Sequence, residues 1–147
     1  MKKEFACGFT FLELLIVLGL GVIIAVFTIP VGLNFYKLQV LDDTSEDILQ
    51  VVRRAHHQAF FQKLDSNFGV KFFSDSYVLF QGNSYDTRVL SEDEFFSLPA
   101  GMSPSGMSEV VFEKLSGIPT TTGSLTLTSD GNTRILTINV QGKIEKE

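Results

Sequence analysis

The chain has 147 residues, a formal net charge of −5, 44% hydrophobic residues, 14 phenylalanines, no tryptophan and one cysteine. That length supports one compact domain. The acidic balance leaves no electrostatic footprint for nucleic acid, so nucleic acid is not an expected partner, and a lone cysteine excludes an internal disulfide.

Lys2 and Lys3 open a short leader that ends at Gly8. From Phe9 to Ile29 the chain is apolar, with Glu13 as its one charged residue. At 1.5 Å per residue this stretch crosses the roughly 30 Å hydrocarbon core of a bilayer as a helix. A secretory signal peptide places its basic and apolar regions ahead of the cut. Here the plausible cut, after Gly8, precedes the apolar run, so the span stays with the mature chain. Lys2 and Lys3 predict a cytoplasmic N-terminus and an exported C-terminal part. Cys7 precedes the apolar run, against the order a lipoprotein needs, and leaves with the leader.

A carboxylate inside a membrane span costs roughly 2.5–3.5 kcal/mol at a helix centre, so Glu13 is a functional candidate that needs a partner. Cleavage after Gly8 would supply one, a charged amine on Phe9, one helical turn away. As a plain single-span anchor the segment would place Glu13 at the cytoplasmic interface, near the positive end of the helix dipole. That reading leaves Gly8, Phe9-Thr10 and their spacing unexplained.

Pro30 cannot donate to the preceding turn, and Gly32 follows it, so a kink or local melting is expected there. Helical periodicity resumes beyond it. Leu38, Leu41, Ile48, Val52, Ala55 and Ala59 recur at three-, four- and seven-residue steps, with Ser45 as the polar interruption. The prediction is one long bent helix from about Phe9 to Lys63, greasy in its first half and amphipathic in its second.

The remainder reads as strands. Asn67–Phe73 and Tyr77–Gln81 are aromatic and β-branched runs joined by the turn Ser74-Asp75-Ser76. Ser91 and Glu94 have capping-box spacing for a brief helical turn. Leu98 to Met102 reads as a loop or weak edge strand, followed by a flexible Ser-Pro-Ser-Gly connection. Glu109–Phe112 is a strand. Leu125–Thr128, a turn at Asp130-Gly131-Asn132, and Arg134–Val140 give the best hairpin signal, with a last edge pairing at Lys143–Glu145. The fold class is therefore α+β: a long N-terminal helix packed on a small antiparallel domain. The predicted organisation is leader 1–8, transmembrane helix 9–30, amphipathic helix 31–64 and β-rich exported domain 65–147.

Gly8-Phe9-Thr10-Phe11-Leu12-Glu13 and the apolar run behind it resemble the cleavage and methylation motif of type IV prepilins and pseudopilins. Four parts agree: basic leader, glycine, phenylalanine then threonine, and a glutamate five residues past the glycine. The resemblance implies that a membrane aspartyl peptidase cuts after Gly8 and methylates the amine of Phe9. It implies that Glu13 is the acid of the motif, and that Pro30 matches a proline many members carry near the end of the segment. From Tyr77 onward the order of pieces is similar to the GspH/FimT-like minor pseudopilins. That likeness runs through Leu98-Pro99-Ala100-Gly101, Val111 to Pro119, Gly123 and Ile138 to Ile144, and it implies two small sheets on the C-terminal half of the helix.

No spacing for metal or catalysis emerges. His56 and His57 are adjacent, point about 100° apart on a helix, and read as a solvated face. Asp42, Asp43, Glu46 and Asp47 lack the alternating ligands and glycine of a calcium loop. They read as a solvated stretch or as a surface for a neighbouring subunit. Asp130-Gly131-Asn132 reads as a turn. No phosphate loop, paired-cysteine zinc spacing or nucleophile elbow occurs, so no enzyme, metal or cofactor is expected.

The expected function is that of a structural subunit of a type IV filament system, serving type II secretion, pilus assembly or DNA uptake. Its expected partners are other pilins or pseudopilins through the N-terminal helix, the prepilin peptidase, and the assembly platform and ATPase. The alternative is a minor pilin whose β domain captures DNA or another ligand in competence or adhesion, against which the acidic charge and mixed tail Lys143–Glu147 weigh.

Overall fold

The computed structural model describes residues 10–61 and 65–146. Two compact units result, Met1–Lys37 and Leu38–Glu147. Helix α1 (Phe11–Phe60) runs through both. It is unbroken at Pro30 and Gly32, so the local melting expected there does not occur. It ends at Phe60, earlier than predicted, and Lys63 lies outside the described residues.

In the first unit the described side chains, from Phe11 to Thr28 and from Val31 to Lys37, are exposed. In the second unit α1 buries the expected stripe from Leu41 onward, whereas Leu38 is only half-buried. Leu41, Ser45, Ile48, Ala55 and Ala59 are wholly buried and Val52 nearly so, joined by Thr44, Leu49 and Val51. Two hydroxyls enter this stripe without orphaning a donor, because each bonds back to its own helix. Thr44 Oγ1 donates to the Val40 carbonyl at 2.7 Å, and Ser45 Oγ to the Asp42 carbonyl at 2.7 Å.

Eight strands follow: β1 (Phe68–Phe72), β2 (Ser76–Gln81), β3 (Glu94–Ser97), β4 (Met102–Gly106), β5 (Glu109–Phe112), β6 (Gly123–Ser129), β7 (Asn132–Ile138) and β8 (Ile144–Lys146). They form two four-stranded sheets, ordered β3-β2-β1-β5 and β4-β6-β7-β8, with every pairing antiparallel. One core joins the helix stripe to residues of both sheets, including Val70, Leu79 and Phe112 of the first and Leu127, Leu136 and Ile138 of the second. The predicted fold class holds.

Several local expectations need correction. The Ser91–Glu94 capping box does not form: a short 3-10 turn occupies Leu90–Glu92 behind Val89, with no side-chain cap, and Glu94 opens β3. Ser103-Pro104-Ser105-Gly106 is not a flexible connection but most of β4, an edge strand where proline is tolerated because one side needs no ladder bond. The hairpin turn is two residues, since Ser129 pairs with Asn132, and Asp130 and Gly131 both take positive φ (48° and 82°) as a type I′ turn requires. β7 ends at Ile138 rather than Val140.

Around Gly69 the outer face of the first sheet is also buried. Phe80 and Val111 flank Gly69 in register, and all three are buried. A Cβ on Gly69 would lie 2.6 Å from Phe80 Cζ and 2.7 Å from the Val110 carbonyl oxygen. The carbonyl belongs to a paired strand and cannot yield easily, so Gly69→Ala is expected to cost about 2 kcal/mol through overpacking. Denaturant unfolding of the full chain in detergent measures this, and an unchanged midpoint would contradict the tight contact.

Candidate assembly site

Among the predicted site residues, Gly8 and Phe9 lie outside the described residues. Glu13 stands in the first turn of α1 and is exposed. Thr10 immediately precedes the helix, and its hydroxyl accepts the Glu13 amide at 3.2 Å, while its carbonyl accepts the Leu14 amide at 3.2 Å. Thr10 is therefore an N-cap and Glu13 the third helical residue, the two ends of a Thr-x-x-Glu capping arrangement. A carboxylate in this turn also faces the positive end of the helix dipole. Threonine and glutamate thus serve local helix initiation as well as any contact beyond the chain. Pro30 lies within α1.

Behind Glu13 the helix holds a segment long and apolar enough to cross a membrane. Its large apolar side chains are exposed, Leu18 at 59% and Phe27 at 73% among them. Exposed apolar surface on this scale marks an interaction face, to lipid or to like helices.

The acidic cluster does not behave as one solvated stretch. Arg134 of β7 grips Asp42 with two guanidinium nitrogens, at 2.6 and 3.2 Å. Lys146 of β8 reaches Glu46 at 3.1 Å and Asp42 at 3.5 Å. The Arg134 hydrogen bond, resisted by desolvation, holds the Asp42 carboxyl below its usual range. These pairs stitch α1 to the second sheet, while Asp43 and Asp47 remain exposed.

The histidines also differ from expectation. His57 is exposed and lies against Phe61 at 4.5 Å, but His56 is half-buried. It stacks along Phe60 at 6.3 Å and meets Phe112 edge-on at 5.4 Å, beneath Gly117 and Gly142. Burial, with His57 beside it, holds the His56 imidazole below its ordinary value. The folded state therefore binds this proton less readily than the unfolded chain. Its stabilisation is complete above the ordinary imidazole value of 6.5 and falls as pH drops through the lower folded value. The His56→Gln chain is expected to lose this part of the acid sensitivity between pH 7 and 5 in thermal unfolding. An unchanged pH profile would show that His56 does not carry it.

Sequence reasoning missed a groove on the exposed side of α1. Asp47, Gln50, Val51 and Arg54 form one wall, and Tyr77 of β2 with Phe96 of β3 the other, around a volume of about 430 Å³. Tyr77 and Phe96 stack at 5.0 Å, and Arg54 lies over the Phe96 ring at 5.7 Å while pairing with Glu94 at 2.5 Å. Burial and the nearby Asp47 charge push the Tyr77 hydroxyl up to about 12, opposed by Arg54. The aromatic pair Phe95-Phe96 is the sequence signal that could have located it.

No protein-family model matches this sequence, and no curated protein matches it. Its fold is similar to that of a solved structure, the minor pseudopilin EpsH from the type 2 secretion system of Vibrio cholerae. The two chains share 12% identity and a TM-score of 0.54, over 73% of this chain and 95% of that one. A long N-terminal helix carrying two four-stranded antiparallel sheets is thus an α+β architecture shared with a pseudopilin.

Proposed function

We propose that this chain is a non-enzymatic structural subunit of a type II secretion pseudopilus, made as a prepilin and held in the bacterial inner membrane by α1. The observation that carries the reading is one unbroken helix with an exposed apolar N-terminal half and a C-terminal half that is the spine of a pseudopilin-like β domain. In this reading a prepilin peptidase removes residues 1–8 and methylates Phe9. The N-terminus faces the cytoplasm and the β domain lies outside. An assembly platform and an ATPase then transfer α1 from lipid into a bundle of helices of other pseudopilins. Lipid and bundle are both apolar, so the move has little hydrophobic cost and rests on packing and polar pairs. Glu13 is the polar partner, meeting the Phe9 amine of an adjacent subunit.

We take the subunit to be a minor one, because the sequence from Tyr77 onward resembles the GspH/FimT-like minor pseudopilins and the solved structure of similar fold is itself a minor pseudopilin. The test is mass spectrometry of the protein recovered from native membranes. The mature chain should begin at Phe9 with a methylated amine, and an intact Met1 in cells with active peptidase would overturn the reading.

A further inference from the structure

A sheet edge left open invites another strand, and the four edges of this domain are not treated alike. On β5 the edge is covered: Thr120 donates its amide to the Val111 carbonyl at 2.8 Å, and Thr121 its hydroxyl to the Glu109 carbonyl at 3.1 Å. The β4 edge carries Pro104, which lacks a donor. The β8 edge is three residues long, and its Lys146 folds onto Glu46. Strand β3, Glu94-Phe95-Phe96-Ser97, has neither proline nor lysine. Among the described residues its backbone makes no hydrogen bond outside the β2 ladder. In an antiparallel ladder alternate residues direct their N–H and C=O groups away from the partner, so these groups on β3 stand unpaired.

Each face of this edge carries one phenylalanine. Phe95, on the outer face, is 68% exposed, and Leu90 nearby is 72% exposed. Phe96, on the inner face, lines the groove with Tyr77. The polar groups of the groove wall are unbalanced. Arg54 is engaged by Glu94, whereas Asp47 has no cation within ion-pair distance among the described residues.

From these features we infer that β3 and its groove accept an extended segment of another polypeptide, added as a fifth strand. That segment places an apolar side chain on Tyr77 and Phe96 and a lysine or arginine at Asp47. Backbone pairing supplies affinity, and the alternate side chains supply selectivity. A second copy of this chain fits poorly, because its own β3 carries Glu94 and no lysine or arginine to meet Asp47. The inference concerns the β domain and stands or falls separately from processing and assembly of α1.

The probe is a synthetic seven-residue peptide alternating lysine and valine around a central phenylalanine, added to the full chain in detergent micelles. Its counterpart carries glutamate in place of every lysine. The lysine peptide is expected to slow amide exchange at residues 94–97 and to bind more tightly than the glutamate peptide. The Asp47→Asn chain should bind it roughly threefold more weakly, the scale of one exposed ion pair, while Asp43→Asn, exposed on the same helix, should not. Equal binding of both peptides, equal affinity in Asp47→Asn, or absence of exchange protection at residues 94–97 would each overturn the proposal. So would protection of this edge by self-association of the chain without peptide.

Discussion

The Glu13→Gln chain is expected to be made, inserted and cut after Gly8 like the wild type, yet to fall by tenfold or more in the assembled filament fraction. The substitution preserves size and helix propensity and removes only the charge. Thr10 still accepts the amide of residue 13, since that bond uses the backbone. The cap therefore survives, and a loss of incorporation reports the carboxylate itself. An unpaired carboxylate in an apolar bundle is unfavourable by several kcal/mol, and pairing with an amine relieves that cost while fixing one axial register. Neutralising the acid removes both its cost and its guidance. Quantifying processed protein in membranes against protein in sheared filaments separates the steps. Normal incorporation of Glu13→Gln would remove the charge from the mechanism, and failure of cleavage would place its role at the peptidase instead.

Phe112→Ala should produce the largest loss of stability, about 4 kcal/mol, the scale of deleting a buried aromatic side chain. Phe112 is wholly buried, ends β5, and meets the His56 ring edge-on. It also bridges to Pro119, so its backbone holds the segment that covers the β5 edge. The cavity would open between α1 and the first sheet, where the surrounding strands are paired and collapse poorly. Denaturant unfolding of the full chain in detergent, with Phe112→Leu alongside, tests this. The leucine chain should recover a large part of the loss, and equal midpoints for alanine and wild type would place Phe112 outside the core.

The helix stripe was legible because period 3.6 needs no distant information: Leu41, Ile48, Val52, Ala55 and Ala59 announce a buried face wherever that face lands. Ser45 looked like a flaw in it, and its bond to the Asp42 carbonyl explains why it is tolerated. Glu13 was legible by contrast with its apolar surroundings. Strand β3 was not, since Ser91 and Glu94 mimic a helix start; tertiary contact decided otherwise, and the Glu94 carboxylate turned to Arg54, 40 residues away in sequence. The Asp42–Arg134 pair spans 92 residues and Lys146–Glu46 spans 100, separations at which local pattern carries no pairing information. Strand β4 was hidden because Ser-Pro-Ser-Gly has turn chemistry, and an edge position removes the penalty that would exclude it from an inner strand.

The single core that joins both sheets through α1 has a temporal corollary. Ribosomes deliver the helix first, whereas residues that complete its covering, such as Leu136, Ile138 and Ile144, emerge last. Until then the greasy seam of the spine has nothing to rest against, and neither sheet can substitute for the other. Protection during synthesis is therefore most needed by this early segment, and a chain stalled before its final hairpin is expected to be the form most prone to aggregate.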